Sequence, residues 1–222
     1  MAVVHAIPHY RLERKATKEG FAAIAGVDEA GCAPLAGPVV AAAVVLDPRR
    51  IPRGINDSKK LNPEAREELY GAITAKAHWA VGIADVARID TDNILNARLW
   101  AMARAVEALV VPPDLVLVDG NRGPRVVCRT RTVVGGDGIS LSIAAASIVA
   151  KVTRDRLMRE LDLQCPGYGF ASHKGYGTPA HCSALARLGP SPHHRRSFAP
   201  VRLLIEAAQA GLTAAAGEEY HP

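Results

Sequence analysis

Four acidic residues stand where a folded domain gains nothing structurally from carboxylates. Asp28 and Glu29 close the apolar run Phe21-Ala-Ala-Ile-Ala-Gly-Val27, and Asp119 closes Leu115-Val-Leu-Val118. Asp137 follows Thr132-Val-Val-Gly-Gly136, just ahead of a long apolar stretch. Carboxylates gathered out of water lose hydration and repel one another, a cost that a bound cation removes. Hard divalent ions take oxygen ligands, and a pair ~3.5–4 Å apart can activate a water and stabilise the oxygen leaving phosphorus. Acids at the ends of core strands are therefore the donor set expected of a metal site that cuts phosphate esters. Taken singly, each Asp reads equally well as a turn former or helix cap, Asp137 above all because a helix follows it.

Composition narrows the setting. A chain of 222 residues, 49% hydrophobic and 22% charged, suits one large domain with a real core, with or without a small appendage. A net charge of +5 and a pI of about 9.2, despite the acidic cluster, favour a polyanionic partner. The four cysteines (Cys32, Cys128, Cys165, Cys182) form no Cys-x-x-Cys pair and no zinc-type spacing with histidine, so a reduced setting is expected. No signal-peptide core opens the chain and no window reaches ~18 apolar residues, which makes the cytoplasm the expected compartment.

The elements that must position the acids can be read in order. Residues 1–20 read as a frayed or loosely docked arm. A strand over 21–28, a turn rich in Gly and Pro (31–38) and a second strand from Val39 to Leu46 form an antiparallel pair. After the loop Asp57-Ser-Lys-Lys-Leu61, Asn62-Pro63-Glu64 supplies a cap, a proline at the first helical position and an early acid, so a helix runs to Ala77. A third strand spans Trp79 to Val86. The stripe Ile94, Leu95, Leu99, Met102 and Val106 predicts a helix over 91–109. Leu115–Val118, apolar throughout, reads as a central strand buried on both faces; a fifth strand covers 125–134. A helix over 140–163, rich in small residues at its start, packs closely on the sheet. From Cys165 the chain turns to glycine, aromatics and histidine, with a short helix capped by Thr178-Pro179, a basic loop at 191–196, a last helix over 201–209, and a tail from 211 that reads as disordered. The fold class is α/β: a mixed five-stranded sheet flanked by helices, with a helical C-terminal extension. Residues 21–210 would form one domain.

Five motifs in order carry a resemblance to a known family. Asp28-Glu-Ala-Gly31 with Pro34-Leu-Ala-Gly-Pro38, Asp57-Ser-Lys-Lys-Leu61, Val118-Asp-Gly120, Ser142-Ile-Ala-Ala-Ala-Ser-Ile-Val-Ala-Lys151 and Gly175-Tyr-Gly-Thr178 together resemble bacterial ribonuclease HII across residues 21–205. The resemblance implies a ribonuclease H-like fold and cleavage of the RNA strand of RNA–DNA hybrids, single ribonucleotides embedded in duplex DNA included. It also implies a four-carboxylate site for Mg²⁺ or Mn²⁺ at Asp28, Glu29, Asp119 and Asp137. In that scheme Asp28 bridges two ions, Glu29 and Asp119 hold the ion beside the leaving group, and Asp137 holds the one beside the nucleophile.

Candidate substrate contacts are less uniquely marked. The resemblance puts Ser58 and Lys59 near a substrate phosphate, although paired lysines usually only meet solvent. Lys151 and Arg154 share a helix face and either line the duplex backbone or solubilise the surface. Arg195 and Arg196, beside two histidines, form a candidate phosphate clamp or an ordinary loop. Tyr176, between glycines, is a candidate to stack on a sugar, with Tyr168 its rival; His173 reads as a satisfied loop histidine. In ribonuclease HII relatives a Gly-Arg-Gly or Gly-Lys-Gly trio after the acidic pair reads the junction ribonucleotide. Here it is Gly31-Cys32-Ala33, which removes a cation and puts junction preference in question, while backbone N–H and C=O groups of Cys32 and Ala33 could still meet the sugar.

The expected protein is thus a monomeric metal-dependent endoribonuclease of this type, leaving 3′-hydroxyl and 5′-phosphate ends. Ribonuclease HIII is disfavoured by the short segment ahead of the first strand. A non-catalytic hybrid-binding protein is disfavoured by the intact acids. A phosphatase with an aspartyl nucleophile is disfavoured because Glu29 and Ala30 follow Asp28 where Asp-x-Asp would be needed.

Overall fold

A computed structural model describes residues 7–218, and their side chains as far as 210. The chain divides into two compact units. The first comprises the stretch ending at Cys32, Pro38–Ala84 and Ile94–Arg154; the second comprises Ala33–Gly37, Asp85–Asn93 and the chain from Asp155 onward.

The first unit is built on a mixed sheet of β1 (Ile24–Ala30), β2 (Val39–Val45), β3 (His78–Ala84), β4 (Leu115–Asp119) and β5 (Arg129–Val133), in the order β3-β2-β1-β4-β5. β1, β2 and β3 form an antiparallel meander, while β4 runs parallel to both β1 and β5. Apolar side chains on every residue from Leu115 to Val118 suit a strand buried on both faces, and all four are buried. The register explains the position of the acids. β1 and β4 pair from Ile24↔Leu115 to Val27↔Val118 and then part, whereas β4 continues beside β5 to Asp119↔Val133. Chain connections leave β1 and β4 in opposite directions, so Asp28 and Asp119 emerge at the carboxyl ends of two parallel strands, at a topological switch point.

Helices cover both faces of this sheet, and glycines set how closely. A Cβ on Gly26 would lie 2.0 Å from the Ser142 carbonyl carbon, so the first turn of the long helix α4 (Leu141–Gln164) rests directly on β1. On the other face, a Cβ on Gly82 would lie 2.1 Å from the Ala101 oxygen of α3 (Val86–Glu107). The small residues Ala144, Ala145, Ala146 and Ala150 pack with Val44, Leu46, Leu69 and Ile73. The last two belong to α2 (Pro63–Thr74), whose first turn is capped as expected: the Asn62 side chain accepts from the Ala65 N–H at 2.8 Å, with Pro63 at the first helical position.

The main departures from the sequence reading lie in α3 and ahead of β1, while β5 starts at Arg129 rather than 125 and α2 ends at Thr74 rather than Ala77. α3 begins at Val86 rather than 91, because Asp85, read as strand, is instead a cap accepting from the Arg88 N–H at 2.8 Å. It is interrupted at Asn93, whose φ of 65° breaks the helical path. The stretch read as a loose arm contains α1 (Arg11–Lys18). This helix is short and mostly charged, yet it is amphipathic: Leu12 and Ala16, four residues apart, mark its packed face. It is fastened by buried Glu13, whose Oε1 accepts from the Ser140 and Ser142 hydroxyls at 2.6 Å each and from the Ser142 N–H at 3.0 Å. A carboxylate from another segment thus satisfies one open N–H of the first turn of α4 and meets its positive end.

The second unit holds α5 (Phe170–His173), α6 (Pro179–Leu188) and α7 (Ala199–Glu218). Thr178 caps α6 through the His181 N–H, as expected. Leu35 packs with Leu185 and Val201, and Ala36 with Met158 and Phe170. The tail read as disordered from 211 falls partly within α7, while 219–222 lie outside the described residues. Among the described residues no helix is long and apolar enough to cross a membrane.

The glycine contacts yield a paired test by urea unfolding. Gly26→Ala must displace the backbone of α4 and is expected to cost about 3 kcal/mol. Gly71→Ala, in an exposed turn of α2 with nothing within 4 Å of the new methyl, should stabilise by ~0.5–1 kcal/mol.

Candidate active site

Successive side chains of a strand point to opposite faces, so Asp28 and Glu29 cannot share a direction. Asp28 lies on the face of Gly26, towards α4, and Glu29 on the face towards α3. Their contacts follow that split. Asp28 is 4% exposed; its Oδ1 accepts the Glu29 N–H at 2.7 Å and it takes a second hydrogen bond from the Ser147 side chain of α4. Ser147 bonds Ser58 at 2.8 Å, both buried. Glu29 Oε1 accepts from Arg98 Nη1 of α3 at 3.2 Å and lies 3.5 Å from Cys32 Sγ.

The other two acids are joined by a glycine turn. Gly135 sits in the left-handed region at φ 67°, and the chain turns so that the Gly136 N–H donates to Asp119 Oδ1 at 2.7 Å. Asp137, the next residue, is buried, and its Oδ2 takes the Lys59 ammonium at 3.3 Å. With the Lys59 side chain 79% exposed, that ion pair contributes little to stability.

Electrostatics ties the acids together. Burial, then the charges of Glu29 and Asp119, hold the Asp28 carboxyl well above the ordinary carboxylate range, against the pull of its two hydrogen bonds. Burial also raises Asp119, with Asp137's charge adding to it and the Gly136 N–H and Lys59 opposing. Partial burial would lower the Lys59 ammonium, but the charge and hydrogen bond of Asp137, with the charges of Asp57 and Asp28, raise it overall. Among the described residues no three Asp, Glu, His or Cys side chains already close around one point as a metal cage. Mutual repulsion and separate local donors keep the four acids in an open array. The donor set nevertheless fits a hard divalent cation: it is all oxygen, and a positive charge beside Asp28 would relieve the repulsion that raises its proton affinity.

The remaining candidates separate into surface and interior. Lys59 is exposed, as a phosphate contact requires, but Ser58 is buried against Ser147 and not at the surface. Gly31 takes φ +96°, and a Cβ there would strike the Arg154 side chain at 2.0 Å. Arg154 is accordingly not a surface cation: it is buried and donates to the Pro38 carbonyl at 2.9 Å, whereas Lys151 is half-buried. Arg195 is likewise interior, donating from Nε and Nη2 to the Gly37 carbonyl at 3.0 and 2.8 Å and lying over the Phe198 ring. Both arginines lock turns, each guanidinium donating to a main-chain carbonyl. Arg196 stays exposed, and Ala33 is exposed in the second unit. Of the rival tyrosines, Tyr168 donates to the Gly189 carbonyl at 2.6 Å and stacks on Phe170, while the Tyr176 ring is 43% exposed.

Residues that the sequence reading passed over include Arg98, Ser147 and a histidine pair. Arg98 falls four residues from Ile94 and from Met102, on the apolar stripe, and a charge at such a position was the available signal. In the second unit His194 Nδ1 accepts from the Ser191 N–H at 3.0 Å, which leaves its proton on Nε2. That Nε2 meets His181 Nε2 at 3.0 Å, and His181 Nδ1 is then free to donate to the Tyr176 carbonyl at 2.9 Å. The neutral pair thus anchors the Gly-Tyr-Gly loop. His173 stacks on His181 with its own Nε2 2.7 Å from the Tyr168 carbonyl, a satisfied loop histidine as expected.

Comparison with known proteins gives a consistent picture. The family profile described as ribonuclease HII matches residues 25–201. Ribonuclease HII of Nitrobacter hamburgensis is 63% identical over 194 residues, covering 87% of this chain and 73% of that protein. A Rhodopseudomonas palustris ribonuclease HII is 60% identical with the same coverage. Among solved structures, the crystal structure of ribonuclease H2 from Pyrococcus horikoshii OT3 superposes with a TM-score of 0.71 at 26% identity, covering 84% of this chain and 98% of that one.

The histidine pair sets a pH dependence. Burial, then the His181 charge, holds His194 down at about 4 against an ordinary 6.5, and burial lowers His181 too. Between those pH values the unfolded chain binds more protons than the folded one, so stability falls as pH drops from 6.5 towards 4. Thermal melting across that range should show a shallower loss in His194→Gln than in the wild type, once the variant's lower starting stability is subtracted.

Proposed function

From the membership of this chain in the ribonuclease HII family, and hence its being a ribonuclease H, we propose that it is an endonuclease acting on the RNA strand of RNA–DNA hybrids and on ribonucleotides embedded in duplex DNA. The products would carry 3′-hydroxyl and 5′-phosphate ends. The observation that carries this reading is the position of buried Asp28 beside Asp119 at the carboxyl ends of two parallel strands that part there.

Asp28, Glu29, Asp119 and Asp137 would hold Mg²⁺ or Mn²⁺, two ions in the reacting complex, which when bound activate a water and stabilise the leaving 3′ oxygen. The chain's own part is to hold those four oxygen donors ready. Ser147, backed by Ser58, fixes the Asp28 carboxylate, and the Gly136 N–H fixes Asp119. Lys59, whose exposed ammonium pairs with Asp137, is placed to exchange that partner for a substrate phosphate. Exposed Tyr176, in the second unit, offers a stacking surface to a sugar, and the main chain of Cys32 and Ala33 offers hydrogen bonds to a 2′-hydroxyl. A narrower reading, hybrid cleavage without preference for a single ribonucleotide, is favoured by the thiol at 32, which faces Glu29 and brings no cation.

Three duplexes test the proposal: all-DNA, RNA–DNA hybrid, and DNA with one ribonucleotide. With Mg²⁺ or Mn²⁺ the latter two are expected to be cut and the first spared, and Asp28→Asn should reduce cutting to background. The same substitution removes a like charge, so the metal-free melting temperature should rise and the stabilisation that added Mn²⁺ confers should shrink. Cutting by Asp28→Asn at the wild-type rate would refute the assignment.

A further inference from the structure

We propose that Arg98 is a substrate-phosphate ligand, supplying from α3 the cation that position 32 lacks; the proposal rests on the ribonuclease reading above. Arg98 occupies the apolar stripe of its helix, one turn from Ile94 and from Met102. A guanidinium there is costly to desolvate, and packing alone gives no reason for it. Its side chain remains 21% exposed, so one edge reaches solvent beside the acids. Its Nε is buried without a hydrogen-bond partner.

The one carboxylate it meets is informative. Arg98 Nη1 and Cys32 Sγ converge on the same oxygen, Glu29 Oε1, at 3.2 and 3.5 Å. A basic side chain at 32 would therefore bring its charge to the neighbourhood that Arg98 already fills. The thiol at 32 leaves that place open to a longer side chain from α3. Glu29 is also one of the four acids proposed to hold cations, so its oxygen cannot serve Arg98 undivided in the working enzyme. A half-buried guanidinium that loses its counter-ion needs another, and a phosphate oxygen pair is the ligand that its planar fork matches best. Arg98 would thus trade Glu29 for the substrate's backbone when the site is loaded. A merely structural arginine would keep the ion pair and add nothing to nucleic-acid binding.

The distinction shows in the salt dependence of binding, because each phosphate neutralised releases counter-ions. Affinity for a hybrid duplex with a 2′-O-methylated, uncut RNA strand would be measured by fluorescence anisotropy in Mg²⁺, from about 50 to 200 mM salt. Arg98→Ala is expected to weaken binding roughly tenfold and to lower the slope of log Kd against log salt by about one. Arg98→Lys should keep the slope while losing part of the affinity, and Cys32→Arg in the Arg98→Ala background should restore the slope. An Arg98→Ala slope equal to that of the wild type overturns the proposal. Should that variant not fold, Arg98→Gln, which keeps bulk and hydrogen bonding without charge, is judged by the same slope. Wild-type cleavage of an ordinary hybrid tests the parent reading separately, so failure of one is not mistaken for failure of the other.

Discussion

A carboxylate withdrawn from water between two others is the constraint around which the first unit is arranged. Asp28 is surrounded by protein, has Glu29 on one side and Asp119 within electrostatic reach, and bears a proton affinity well above that of a free carboxylate. Such a group is unfavourable in an isolated folded chain and becomes favourable beside a cation. Its position follows from β1 and β4 parting after Val27 and Val118, which opens space at their carboxyl ends. Gly26 lets α4 lie close enough for Ser147 to reach Asp28, and the Gly135-Gly136 turn sets Asp137 beside Asp119. Each of these features would be hard to explain in a sheet whose strand ends merely turned.

Positive charge is divided just as deliberately. A net excess of basic residues suggests a surface made for a polyanion, yet Arg154 and Arg195 lie inside, each holding a main-chain carbonyl. Among the described residues, Lys59 pairs with Asp137 and Arg98 with Glu29, so part of the acids' negative charge is balanced within the fold. The N-terminal helix contributes indirectly, since Glu13 fastens the start of α4 a few residues beyond Asp137.

Much of this was legible wherever local chemistry and burial agree. Asn62-Pro63 marked a helix start because cap and fixed φ act within one turn, and Leu115–Val118 marked a central strand because no face of it tolerates water. The misreadings share a cause. α1 is short and mostly charged, with only Leu12 and Ala16 to mark its packed face, and its anchor Glu13 finds its partners more than a hundred residues away. Asp85 lies in an apolar run and looked like strand until its hydrogen bond to the Arg88 N–H defined a cap. Arg154 and Arg195 were read as solvent-facing because arginines usually are, whereas the distant carbonyls of Pro38 and Gly37 help to make their burial possible.

What the amino-acid order determines by itself is the kind of chemistry: acids abutting apolar runs, with glycine beside them, can only be accommodated together by a fold that places them at strand ends. What tertiary structure alone decides is pairing. Strand alternation sends Asp28 and Glu29 to opposite faces, and only the packing of α3 and α4 onto those faces settles that one acid meets serines and the other an arginine. The reason is that alternation and apolarity act between neighbours along the chain. Charge compensation instead depends on distance in space, which the register of β1 with β4 and the close seating of two helices on glycine establish.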